Sequence, residues 1–328
     1  MSHFTVLVIG DDPEAQLAPF QENNMCDCPD GFLEFEDRED ECHQEWFTGT
    51  RSMKKLPSGE VVCRWDERFQ EPKEGIFKHA ISSNDKFTFP EGTVDVEVPY
   101  TEVYPTFEEY MEEYEGYEAR DTKTNRYGYW ENPNAKWDWY QLGGRWKGTL
   151  KLREDAQHPE DAAHGETGLM GSHKNAGPLY VDRARKDDVD WAEMQREAQQ
   201  KNDEDWAANE KAFGEYGGPE GFAEAYNSKS LQEGHTPHFS LDLQMIPLTE
   251  GEWRGPRRCE TQEEFYKRRG FSCTFAVIKD GEWYERGEMG WFGCVSGEKD
   301  RAEWSKQYTD LLMEVDGDTI VSVYDCHI

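Results

Sequence analysis

The run Phe4-Thr5-Val6-Leu7-Val8-Ile9, closed at once by Gly10-Asp11-Asp12-Pro13, constrains the fold of this chain more than any other segment. Apolar, β-branched residues without polar alternation suit a strand covered on both faces, and the glycine-aspartate-proline stop turns the chain out of the sheet. Asp11 or Asp12 then caps a short helix over residues 14–20, with Pro13 at the first helical position, where a missing N–H costs nothing. The carboxy-terminal end has a counterpart. Residues 319–324, TIVSVY, follow the Asp316-Gly317 turn and read as a final buried strand. Before them, Phe271, Cys273, Phe275 and Val277 alternate, Lys279-Asp280-Gly281-Glu282 is a hairpin turn, and residues 283–286 form the returning strand. A helix over residues 298–315 places Trp304, Tyr308, Leu311, Leu312 and Val315 on one face. This order of strand, hairpin, helix and strand predicts an α+β fold: a layered mixed or antiparallel sheet with packed amphipathic helices.

The 328 residues suffice for one large domain or two of ordinary size. Residues 1–150 read as an α+β half. Within it Glu60-Val61-Val62-Cys63 and the alternating Val94, Val96 and Val98 are strands, and an acidic helix follows Thr106. Thr106 and Glu109 have capping-box spacing, and Phe107, Tyr110, Met111, Tyr114 and Tyr117 share one aromatic face. The outer face carries Glu108, Glu109, Glu112 and Glu113, a candidate strip for binding a partner. Residues 151–235 are a loop and helical insertion, helical from Lys186 to about Phe213, halted at Gly217-Gly218-Pro219, with a second short helix over 219–226. The spacing of His158, His164 and His173 there fits neither a helix face nor a strand face. Residues 236–328, opening with an alternating 239–246, are a second half that is free to share one sheet with the first.

Charge narrows the function. Sixty-nine acidic against thirty-six basic residues give a net charge of −33. Such a surface repels nucleic acid and anionic membranes, and steers toward basic protein surfaces as well as aiding solubility. Residues 251–272, with six Lys and Arg, are a local exception suited to charge pairing within the fold or across a homo-oligomer. No run of 18 apolar residues is present, and MSHFTVLVIGDD has no secretory leader pattern, so a cytosolic protein with reduced thiols is expected. Cys26-Asp27-Cys28 with Cys42-His43 is the segment nearest to a metal site, but it lacks standard ligand spacing, and no metal or cofactor is expected.

Two constellations can carry chemistry. In Trp137-Asp138-Trp139-Tyr140 strand alternation sends the tryptophans to one side and Asp138 and Tyr140 to the other. Gly143-Gly144 follows, then Arg145 and Trp146. Successive backbone N–H groups, aromatic walls and one guanidinium together suit a nucleotide-like ligand. Equally, the tryptophans fill a core, the glycines bend a hairpin and Arg145 pairs with Asp138 or the acidic helix. No GxGxxG or GxxxxGK[ST] fingerprint occurs. The second constellation joins the termini: if the first and last strands share a sheet, His3 approaches His327, with Asp325 and Cys326 as partners for acid–base or nucleophilic chemistry.

MSHFTVLVIGDD, NPNAKWDWYQLGGRW, GEWYERGEMGWFG and the closing DCHI resemble a family of uncharacterised proteins encoded by tailed bacteriophages and by bacterial genomes carrying mobile elements. That family has no established activity, so the resemblance implies a setting: the bacterial cytoplasm of a host. With the acidity and the absence of a standard catalytic motif, it leads to the expectation of an accessory protein that binds a host protein with a basic surface, such as a defence factor, without catalysis. The alternative is an enzyme or sequestering protein for a nucleotide-like small molecule, built on Trp137 to Arg145.

Overall fold

The computed structural model describes residues 2–71, 86–168, 177–215, 262–269, 271, 274–290 and 293–328. The predicted helix over 219–226, the strand over 239–246, His173 and most of the basic segment 251–272 lie outside them. The fold is α+β, as the patterning predicts. Among the described residues no helix is long and apolar enough to cross a membrane.

Two compact units result, residues 1–32 with 132–328 and residues 33–131. The sequence boundaries at 150 and 235 do not mark these units, because strands from the beginning, middle and end of the chain hydrogen-bond into one sheet of the first unit. Its strands, numbered in chain order, are β1 (His3–Ile9), β2 (Trp139–Gly144), β3 (Glu166–Thr167), β4 (Arg183–Arg185), β5 (Ala276–Lys279), β6 (Glu282–Glu285) and β7 (Ile320–His327). The order across the sheet is β6-β5-β1-β7-β2-β3, and β4 also pairs with β7. Parallel β5 and antiparallel β7 flank β1, which is therefore the central strand its apolar run demands. The long β7 pairs with β4 through Ile320 to Ser322 and with β2 through Tyr324 to His327.

Helix α1 (Pro13–Leu17) begins with the Asp12 side chain accepting from the Ala15 N–H, and the described residues of the unit also form α2 (Trp191–Glu215), α3 (Gln262–Arg269) and α4 (Arg301–Met313). On one face of the sheet Leu7, Ile9, Val277, Val321 and Val323 pack against Trp304, Tyr308, Leu311 and Leu312 of α4. On the other, Val6, Val8, Ile278, Tyr324 and Cys326 pack with Leu17 of α1, Phe20 and Trp137. Each large apolar side chain buried in these layers contributes roughly 1.5–3 kcal/mol. The hairpin between β5 and β6 turns at Asp280 and Gly281 with φ of 55° and 77°, the left-handed pair that a two-residue turn requires.

The second unit holds a three-stranded sheet of Val61–Val62, Thr50–Lys55 and Val94–Pro99 and the helices Glu39–Thr48 and Phe107–Glu113. Its core is aromatic: Tyr100, Tyr104, Phe107, Tyr110 and Tyr127 pack around Met111 and Cys42. The capping box at Thr106 and Glu109 forms as its spacing predicts.

Candidate functional site

Antiparallel pairing of β1 with β7 sets His3 directly opposite His327, and pairing of β7 with β2 sets His327 opposite Trp139. Side chains on directly opposed residues point to the same face. The two imidazoles and the indole thus line up across three adjacent strands at one end of the sheet. The imidazole centroids are 4.8 Å apart, and the His3 ring lies 6.4 Å from that of Trp139.

Each histidine is held by its own carboxylate. His3 Nδ1 donates to Asp325 Oδ1 at 2.8 Å, and His327 Nδ1 donates to Asp138 Oδ1 at 2.6 Å. An ionised carboxylate only accepts, and opposite one each ring carries its proton on Nδ1, which leaves Nε2 to act as a base when neutral or as an acid when protonated. Neither Nε2 has a hydrogen-bond partner among the described residues. The rings are partly buried, 17% and 14% exposed.

The two carboxylates differ. Asp325 is fully buried, and its second oxygen accepts the Arg145 backbone N–H at 2.9 Å. Asp138 is 20% exposed, receives the Asn24 side-chain amide at 3.3 Å, and donates its own N–H to the His327 carbonyl at 2.9 Å. Glu22 lies in the same field. Its carboxyl is raised above the ordinary value, first by burial and then by the Asp138 charge, with His327 opposing.

Gly143 and Gly144 serve this arrangement differently from the expected anion nest. Both have positive φ, 75° and 54°, and a Cβ on Gly144 would run into the Asp325 carboxylate, while one on Gly143 would sit 2.7 Å from Asp182 Oδ2. The pair lets β2 close over two buried carboxylates. Asp182 accepts the backbone N–H groups of Gly148 at 2.7 Å and Gly165 at 2.8 Å, with Thr149 adding a third.

The predicted ligand segment is therefore divided. Trp137 and Trp139 do not share a side, because Asp138 is a bend and β2 begins only at Trp139. Trp137, 4% exposed, packs 4.8 Å from Tyr140 in the core of the opposite face. Asp138 and Trp139 join the histidines, Arg145 is tied to Asp325 by its backbone, and Trp146 donates its N–H to the Gly143 carbonyl within the turn. Arg145 makes no ion pair with Asp138 or with any other described residue. Cys326 points to the face opposite the histidines, where it is fully buried. Burial pushes its thiol well above the ordinary range, so it is a core residue and no nucleophile.

In the second unit the acidic helix exposes Glu108, Glu109, Glu112 and Glu113. Glu109 closes the capping box on the Thr106 N–H and Glu108 lies 3.8 Å from Arg120, which leaves Glu112 and Glu113 as the outward charges of the strip. Cys26 and Cys28 belong to the first unit and Cys42 to the second, where it is buried in the aromatic core. Among the described residues, His158, Glu160 and Asp161 are the group within common reach of a metal ion, beside a cavity of about 640 Å³ lined by His158, Arg153, Arg185 and Trp191. Its charges already answer one another: Arg153 pairs with Asp155, and Arg185 with Asp161 and Asp318.

Sequence reasoning locates the terminal cluster but misses Asp138 as the second histidine's partner and Asp182 altogether. Asp182 stands in Val181-Asp182-Arg183 with no pattern to mark it. Comparison with protein-family models, with curated proteins and with solved structures finds no match to this chain.

Proposed function

We propose that this protein is an enzyme acting on a small molecule by paired acid–base catalysis at His3 and His327. One observation carries the reading: imidazoles from the two ends of the chain stand 4.8 Å apart, each fixed through Nδ1 by a carboxylate and each with Nε2 unengaged. In this reaction class one neutral Nε2 removes a proton from an attacking hydroxyl or water while the other, protonated, delivers one to the departing oxygen. Trp139, 39% exposed beside His3, supplies an apolar wall for the substrate. A net charge of −33 opposes long polyanions as substrates.

The test is turnover of small chromogenic carboxylic and phosphoric esters by the purified protein. The expected result is a bell-shaped pH–rate profile, with His3→Ala and His327→Ala each lowering the rate by about 100-fold or more. Full activity in both variants would overturn the reading.

Charge favours a second reading, in which the protein occupies a basic surface of a host protein in the bacterial cytoplasm. Its support is the overall acidity and the exposed Glu112 and Glu113. A complex of this kind weakens with salt as exposed charges are screened. Replacing Glu112 and Glu113 by lysine should release the partner at an ionic strength where the unaltered protein retains it; equal retention would dismiss the strip.

A further inference from the structure

We infer that the molecule taken at the histidine pair carries an oxyanion, phosphate or carboxylate, and that the guanidinium of Arg145 receives it. The inference rests on the acid–base reading of His3 and His327 and deepens it by naming the class of ligand.

Its first support is an arginine with unanswered donors in a chain of 69 acidic residues. Arg68, Arg120, Arg126 and Arg185 all lie against carboxylates. Arg145, like Arg51, Arg64 and Arg183, makes no ion pair among the described residues, and of these four it is the one whose Nε is buried without a hydrogen-bond partner. A buried donor left unmet is costly, and such groups mark strain or the place of an absent acceptor. The unmet Nε belongs to a planar donor fork suited to an oxyanion.

The second support is position. The Arg145 backbone N–H is bound by Asp325 Oδ2, and the other oxygen of that carboxylate holds His3. One buried group thus fixes both the imidazole and the point from which the guanidinium extends. The approach is built into the backbone, since Gly144 at φ 54° has no room for a Cβ against Asp325. An oxyanion adjoining the reacting bond would be clamped by the planar donors of Arg145, and the face of Trp139 would cover an attached ring.

The experiment is calorimetric titration of the whole protein with AMP, adenosine, inorganic phosphate and benzoate. The expected result is that AMP binds and adenosine does not, with inorganic phosphate or benzoate competing according to which oxyanion the site prefers. Arg145→Ala should weaken binding of the anionic probe by about tenfold or more, with Arg145→Lys restoring part of it, because a lysine keeps the charge but loses the fork. The circular dichroism and melting temperature of both variants confirm folding, and the lysine variant serves alone if the alanine variant does not fold. Binding of adenosine as tight as that of AMP, absence of binding by every anionic probe, or an anion affinity untouched in Arg145→Ala and Arg145→Lys would each overturn the inference. The histidine reading stands or falls separately, on ester turnover in His3→Ala and His327→Ala.

Discussion

Asp182 and Asp325 are both fully buried, and both lie under the same Gly143-Gly144 bend, yet they do different things. Asp182 accepts backbone N–H groups from Gly148, Thr149 and Gly165, so its acceptor capacity goes into tying loops together. Asp325 accepts one backbone N–H, from Arg145, and turns its other oxygen to the His3 imidazole. The difference teaches how to separate structure from chemistry among buried charges. A carboxylate surrounded by main-chain donors organises the fold, whereas one that holds a titratable ring whose far nitrogen is free is the one the proposed acid–base chemistry would use.

The largest effect is expected at Asp182. Asp182→Ala leaves the buried N–H groups of Gly148 and Gly165 without acceptors and should cost about 4 kcal/mol of stability, at roughly 1–3 kcal/mol each, read from urea denaturation. Its titration has a defined sign. Burial raises its carboxyl above the ordinary 3.8 despite the backbone donors. The folded state therefore holds the proton more tightly than the unfolded one, and the stability this adds is fully present below the unfolded value and lost as pH rises through the folded value. Across the acid range the urea midpoint of the unaltered protein, relative to that of Asp182→Asn, should fall as pH rises.

Gly144→Ala comes next, at about 3 kcal/mol, from the left-handed backbone and the collision with Asp325 together. It should also displace the carboxylate that holds His3. Asp325→Asn keeps the size of the side chain, so its melting temperature should fall less than that of Asp182→Ala. Turnover per folded molecule should nevertheless drop by about 10- to 100-fold, as it does when a group that orients a working histidine is lost. If Asp325→Asn instead unfolds the protein with activity per folded molecule intact, the two aspartates are alike and the contrast fails.

The smallest effect is expected at Cys326. Its thiol is held protonated by burial, so a thiol reagent at pH 8 should label the exposed Cys26 and Cys294 in the native protein and leave Cys326 unmodified until denaturant is added. Labelling of Cys326 in the folded state, located by peptide mass, would contradict its place in the core.

What was legible in the sequence was local. The apolar run of β1, the Asp280-Gly281 turn and the capping box at Thr106 all form where the residues imply, the last two because they rest on contacts within a few residues and β1 because an unbroken apolar run is stable only when covered on both faces. The reading failed where a single bend reset the pattern. Asp138 interrupts the extended chain, so Trp137 goes to the core of one face and Trp139 to the other, and simple alternation puts the two indoles together. The acidic helix stops at Glu113, and Gly116 at φ 82° follows, so its aromatic face is shorter than the periodicity suggests.

By itself the sequence determined that the chain begins and ends in buried strands, that helices pack on a mixed or antiparallel sheet, and that the surface is strongly acidic; composition and short-range periodicity suffice for these. Only the tertiary structure decided that His3 and Asp325, 322 positions apart, share a hydrogen bond, and that Asp138 from the middle of the chain holds the other imidazole. Strand register is set by which apolar faces are buried together, and a shift of one residue would send His327 to the opposite face from His3. No local pattern carries that information, which is why two histidines at frayed-looking ends become a site only when β1 and β7 pair.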